Sequence, residues 1–457
     1  MNKQTSKLDL LSHAPVSQAL LALGIPIMIG MLINALYNLV DAYFVSGLGA
    51  APLAAVSVTF PLGQVVVGLG LMFGNGAASF LSRLLGRGDR ALANQVASTA
   101  LFSSVLLGAV VIALATFFLA PLLSSLGATA TILPYALTYA RIYVISCLFN
   151  VFNVTMNNVV SSEGAAKITM CAMLLGAVLN IGLDPLCIYG LGWGVAGAAI
   201  ATAVSQLAST LVYLWYVLRG KSAFSFGITY FSPSRRIMAE ILKIGVPTLV
   251  FQLLTSLSVA LINRAANPYG DAVIAGMGAV TRIAAMGTLV VFGFLKGFQA
   301  VAGFSYGARD FARLRAAIRT ALLWSSGFCV LAGLTAAALA PQIMAVFAKG
   351  QAAMQTVGAA SLAANGLSFM LFGFHTVYAS LLLALGKGRA GLFLGACRQG
   401  ICFLPVIVLL PLCWGVAGIL YAQPLADVLT AVVTVVMAVQ VHRELAQEEG
   451  CAVAQKW

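Results

Sequence analysis

Apolar positions gather along this 457-residue chain into twelve long blocks. They lie near 16–46, 51–80, 92–119, 134–160, 167–189, 194–218, 238–263, 273–302, 316–339, 354–384, 390–410 and 414–441. Most exceed the roughly 18–20 residues that a helix needs to cross a hydrocarbon layer. Polar residues collect in the short connections. They do not alternate with apolar ones at the period of two that a barrel strand would show. The pattern predicts an all-α polytopic membrane protein with twelve transmembrane helices. An even number of crossings puts both termini on one side.

Composition removes the soluble alternative. The chain is 61% apolar and 8% charged, with a mean hydropathy of +1.00, against about 25% charged residues in soluble proteins. A net charge of +13 raises the question of nucleic acid, but the positions of the basic residues answer it. Nineteen lysines and arginines fall on the side of the termini, among them Lys3, Lys7, Arg83, Arg87, Arg90, the 219–243 group and Lys456. Only Arg141, Arg264 and Lys349 fall on the other side, and Arg282, Lys296 and Arg398 lie within spans. The positive-inside rule then predicts cytoplasmic termini in a plasma membrane (a bacterial or archaeal inner membrane), with no nucleic-acid partner. The polar start "MNKQTSKLDLLSHAPVSQ" lacks the features of a removable signal, so the first helix is expected to act as its own. The eight cysteines are scattered with no CxxC, which predicts apolar fillers rather than disulfides or a zinc site.

A shift of 221 residues lays the chain on itself. Gly24, Pro26, Leu32, Leu36 and Gly49 meet Gly245, Pro247, Leu253, Leu257 and Gly270. Phe73, Gly76, Gly86 and Asp89 meet Phe294, Gly297, Gly307 and Asp310, and "WGVAG" at 193–197 meets "WGVAG" at 414–418. The expected organisation is an N-terminal six-helix bundle over 1–220, a cytoplasmic linker over 221–237 and a C-terminal six-helix bundle over 238–457. Six crossings per half make the bundles parallel, related by a pseudo-two-fold along the membrane normal. Transporters that rock two halves about a central site are built this way.

Particular segments then carry a resemblance. "LGIPIMIGMLINALYNLVDAYFVSGLG", "LSRLLGRGD", "LNIGLDPL", "GWGVAGAAIATAVSQ" and "RQGICFLP" resemble, in this order, the multidrug and toxic compound extrusion (MATE) transporters. The resemblance covers essentially the whole chain and is closest to the DinF-like branch. It implies two V-shaped bundles and a cation-coupled antiporter that exports organic, cationic or amphipathic compounds by alternating access, driven by H+ or Na+. It also implies small organic substrates, a bilayer environment, a monomer, and no cofactor beyond the coupling ion.

Apart from Glu240 at the edge of the seventh block, only three of the twelve acids fall inside spans: Asp41, Asp184 and Asp427. An intramembrane carboxylate is costly and marks function by default. Asp41 lies about five residues, or ~8 Å, from the outer end of the first helix. Asp184 lies at a similar depth in the fifth, with Asn180 one turn away on the same face. Thr202 and Tyr139 reach this level from the sixth and fourth helices. Two carboxylates in one desolvated pocket repel each other, so the pair favours a held proton or a bound Na+. The alternative is a kink at Pro185 whose carboxylate stays close to water. In the DinF-like branch the residues matching Asp41, Asn180, Asp184 and Thr202 form a cation site, so the resemblance implies one here, with Na+ the one metal expected. The repeat mates of these four are Ile262, Ile401, Pro405 and Gln423. Beyond Glu240 at the very start of helix 7, helices 7 and 10, where the NorM-type branch is expected to carry acids, have none. Coupling is therefore expected in the first half.

Asn34, Tyr37, Asn38 and Asp41 fall at helical spacing and predict a polar stripe facing a substrate cavity. Asn150, Asn153 and Asn157 form a comparable face that serves either substrate or interhelical hydrogen bonding. Pro26 sits in mid-helix, a candidate hinge whose movement the resemblance links to the acids. Lys296, Arg398 and Asp427 form a second charged level, roughly 10–20 Å deep. Asp427 is expected to pair with Arg398 or Lys296, and Lys296 alternatively to snorkel to the interface. His375 is either a titrating group or a satisfied hydrogen-bonding partner. Two other functions stand beside export: a lipid-linked saccharide flippase and a membrane enzyme. An enzyme would need a nucleophile, metal cluster or acid–base pair at a watery edge. The loops offer none, and their acids sit singly beside basic residues.

Overall fold

The computed structural model describes residues 9–126, 128–348 and 352–454. Of the basic residues sorted above, Lys3, Lys7, Lys349 and Lys456 lie outside them. Twelve helices are long and apolar enough to cross a membrane, and no strand occurs among the described residues. They are α1 (Val16–Ser46), α2 (Ala50–Arg87), α3 (Arg90–Phe117), α4 (Leu133–Ser162), α5 (Ala166–Pro185), α6 (Gly194–Leu218), α7 (Arg235–Ala266), α8 (Asp271–Gly307), α9 (Phe311–Ala338), α10 (Ala352–Ala384), α11 (Gly388–Ala396, continued by Phe403–Trp414) and α12 (Val416–Ala454). The predicted blocks match these one for one. Several helices extend past their apolar block, α12 most of all, because charged turns continue the helix beyond the hydrocarbon.

Three features escaped the hydropathy pattern. Short helices at Leu119–Ser125 and Ala340–Ala348 follow α3 and α9, 221 residues apart, so the repeat extends to the outer loops. A single π-helical turn at Leu186–Gly190 ends the fifth helix, and another at Cys397–Ile401 interrupts the eleventh. Such turns re-aim side chains and cluster at functional sites. The segment between α6 and α7 is no slack tether. Ser225, Gly227 and Ser232 donate their backbone N–H groups to Asn94, Ser98 and Thr99 of α3.

The core divides unevenly. At the end carrying the termini, one large cluster joins both halves, with Leu23 and Ile27 of α1, Phe73 and Leu84 of α2, Ile241 of α7, Phe298 of α8 and Leu381 of α10. At the opposite end each half has separate clusters, around Leu123 and Ala136 in the first and Phe403 and Ile419 in the second. The halves are thus a V, fused at the termini and parted at the other end.

Glycines kept by the repeat make the fusion possible. A Cβ on Gly86 would strike the Phe304 carbonyl, and one on Gly307 the Arg83 carbonyl; Gly76 faces Ile241 and Gly245 faces Met72 in the same manner. These pairs bring α2 against α8 and α7 at backbone contact, as small residues do between membrane helices. Polar ties reinforce the same end. Arg83 of α2 reaches Glu240 of α7 at 3.4 Å, and Arg313 of α9 holds the carbonyls of Leu11 and Ala14 at 2.9 and 2.7 Å.

Candidate functional site

Where the halves part they enclose a cavity of about 940 Å³, the size of a drug-binding pocket. Its first-half wall is rich in amides: Asn34, Tyr37 and Asn38 of α1, Asn150, Asn153 and Asn157 of α4, Asn180 of α5, and Thr202 and Gln206 of α6. The second-half wall combines Phe251, Phe292 and Phe369 with Lys296, Arg398 and Asp427.

The two first-half acids stand behind this wall rather than on it. Asp184 is 0% exposed and Asn180 1%, and neither Asp41 nor Asp184 lines the cavity. The i, i+3, i+4, i+7 stripe of α1 therefore divides. Its first three members face the cavity, and its last turns to Asp184. The Asp41 and Asp184 carboxyl groups lie within hydrogen-bonding reach of each other. Asn180 Nδ2 donates to Asp184 Oδ1 at 3.4 Å. Asp41 Oδ1, Asp184 Oδ2 and Asn180 Oδ1 are buried with no donor among the described residues. Buried acceptors are nearly always satisfied. Two facing carboxyls and an amide oxygen without a donor suit a proton or a hard cation between them. Burial this complete leaves no room for the alternative of a water-facing Asp184 beside Pro185.

Tyr37 connects the acids to the cavity. It lines the wall and lies within electrostatic reach of both carboxyls, near Asn38 and Gln206. Tyr139 is buried behind the wall, stacked on Tyr143 at 5.3 Å and close to Asp41. Thr202 lines the cavity on α6. Asn153 donates to the Gln206 carbonyl and side chain at 2.9 and 2.8 Å and accepts from Thr210. Its polar atoms tie α4 to α6. Asn157 packs its amide on the Met173 sulfur. Pro26 is buried in α1, away from the cavity and within the fused end.

The second charged level resolves into two separate sites. Asp427 accepts from Arg398 Nε at 2.9 Å, Gln423 at 2.8 Å and Ser368 at 2.8 Å. Lys296 takes no part. It neither pairs with Asp427 nor snorkels; its ammonium donates to Asn75 of α2 and to Asn158 of α4 at 2.6 Å. Lys296 and Asn75 are 221 residues apart, so repeat mates meet across the pseudo-two-fold at the cavity floor. The sequence placed Lys296 in depth but had no means of choosing its partner. His375 is buried and contacts Thr434 at 3.2 Å. Asp427→Asn should leave the Arg398 guanidinium uncompensated and lower stability by about 3–5 kcal/mol. Thermal unfolding in detergent checks this. An unchanged midpoint would mean that the pair contributes nothing.

Sequence reasoning missed Glu163. It is 0% exposed and accepts from the Tyr216 and Ser222 hydroxyls and the Ala223 N–H, pinning the segment after α6 to the end of α4. These three groups lie 53–60 residues away, a separation that the hydropathy pattern does not bridge.

Comparison with known proteins decides the family. The MatE family model matches twice, over residues 26–186 and 247–409. The chain belongs to the MATE family. The two matches begin at Pro26 and Pro247, which are repeat mates. Among curated relatives, the multidrug export protein MepA of Staphylococcus aureus (strain MRSA252) is 28% identical over 425 residues, 92% of each chain. Its namesake in Staphylococcus saprophyticus is 28% identical over 417 residues, 91% of this chain and 92% of that one. Among solved structures, a MATE in complex with MaL6 superposes with a TM-score of 0.91 at 28% identity, covering 96% of this chain and 99% of that one. An outward-facing multidrug resistance MATE transporter of the MOP superfamily gives 0.90 at 28% identity, covering 96% and 98%. Membership makes this MATE chain a multi-pass membrane transporter of small compounds and not an enzyme, and it does not favour the flippase reading.

Proposed function

We propose that this MATE transporter is a multidrug exporter that exchanges organic, amphipathic compounds for a cation. The carrying observation is the first-half carboxyl pair. Asp41 and Asp184 face each other, with Asn180, beside a large cavity, and three of their oxygens have no donor. A cation entering there neutralises the pair. Tyr37, which lines the cavity wall within electrostatic reach of the pair, is the route by which that neutralisation alters the substrate site. A shared proton suits the direct carboxyl contact. Na+ draws on the same oxygens plus the Asn180 amide and the Thr202 hydroxyl.

Alternating access requires the fused end to open. The glycine contacts between α2, α7 and α8 have no interlocked side chains to disengage, and Pro26 removes one hydrogen bond from α1 at that level. The distribution of basic residues supports cytoplasmic termini, which makes the arrangement described here outward-open. The division into halves at 1–220 and 238–457, with the linker bound to the first, follows from the repeat. A monomer is sufficient, because one chain supplies both walls.

The test is substrate efflux from proteoliposomes under separately imposed proton and sodium gradients. Uphill export driven by at least one of them is expected. Export indifferent to both would refute cation exchange.

A further inference from the structure

The second-half wall carries a recognition group that the coupling site does not use. A guanidinium has five N–H donors, and in Arg398 one of them, Nε, is committed to Asp427 at 2.9 Å. The Cζ atom rests 4.5 Å from the centre of the Phe372 ring, a stacking that fixes the plane of the group. The terminal nitrogens find no protein acceptor among the described residues, although the side chain is only 13% exposed. What exposure remains is to the cavity that Arg398 lines. Asp427 is itself fully engaged by Arg398, Gln423 and Ser368, so it anchors the guanidinium rather than competing for it.

Charge adds a second, independent argument. Lys296, on the same wall, is held by two neutral amides and has no carboxylate partner among the described residues. The second-half wall thus carries surplus positive charge, while the acids stand behind the opposite wall. The repeat shows that this is one-sided. The mates of Arg398 and Asp427 in the first half are Ala177 and Gln206, which offer no fork.

We propose that Arg398 is a substrate subsite for a carboxylate, gripped end-on by its two terminal nitrogens. The preferred cargo is then amphoteric: an aromatic body against Phe251, Phe292 and Phe369, its carboxylate on Arg398, and any amine toward the Asn34–Asn38 wall. This deepens the exporter reading and rests on it.

The experiment is calorimetric binding to the purified full-length protein in detergent, with no gradient. The probes are an amphipathic aromatic amine bearing a carboxylate and its methyl ester. Wild type should bind the acid roughly tenfold to a hundredfold more tightly, as charge-assisted hydrogen bonds imply. Arg398→Lys keeps a charge beside Asp427 but loses the fork. The pair Arg398→Gln, Asp427→Asn removes both buried charges together, so neither is left uncompensated. In each, the acid-to-ester ratio should fall to within about threefold of unity. Equal binding of acid and ester by wild type would overturn the proposal. So would a ratio that survives both variants or collapses only in Lys296→Gln. Failure of cation coupling would instead show in gradient-driven efflux and leave this binding ratio untouched.

Discussion

Gly86→Leu combined with Gly307→Leu should trap the transporter with its fused end forced apart. In the present arrangement each Cβ would meet a backbone carbonyl of the facing helix, Phe304 in one case and Arg83 in the other. Backbone cannot swing aside as a side chain does, so α2 and α8 must separate. Overpacking of this kind costs about 1–3 kcal/mol per site. Two sites together therefore shift the balance between arrangements by roughly thirtyfold or more. The separate clusters around Leu123 and Phe403 lie at the other end and are undisturbed. The measurement is maleimide labelling of a Gln252→Cys reporter on the cavity wall from the side of the termini. Strong labelling in the double-leucine background, absent from the parent, is expected. Equal labelling would mean that the glycine contacts do not seal this end.

Most of the architecture was legible because the bilayer admits few solutions. Backbone groups must pair within each segment, so an apolar block of sufficient length is a helix, and twelve blocks gave twelve helices. The 221-residue shift exposed the pairing of halves through Gly, Pro and Asp, whose roles are backbone roles and survive divergence. Asp41, Asn180 and Asp184 were legible because carboxylates are rare in hydrocarbon. The same logic found Asp427.

Partner choice was not legible. Arg398 and Lys296 both had the depth to reach Asp427, and side-chain direction, set by the π-helical turn at Cys397–Ile401, decided it. Hydropathy carries no trace of such a turn. Nor could it show that Asp41 turns behind the wall while Asn34, Tyr37 and Asn38 face the cavity, since all four share one stripe. Glu163 escaped because the hydroxyls and the N–H that it accepts from lie 53–60 residues away, beyond what hydropathy and local spacing relate.

The second large effect is expected at the carboxyl pair. Asp41→Asn with Asp184→Asn replaces both facing groups by amides of nearly the same shape, so the wall around Tyr37 and Asn180 keeps its packing. No charge remains for a cation to neutralise, and substrate movement loses its link to the gradient. Binding should persist, because neither acid lines the cavity. A single Asn at either position leaves one carboxyl able to hold a proton but not a shared one, so each single variant should fall short of wild type as well. The decisive measurement is uphill efflux by the reconstituted double variant under the gradient that drives the wild type. The account predicts equilibration of substrate without accumulation against its gradient. Gradient-driven accumulation at the wild-type level would contradict it.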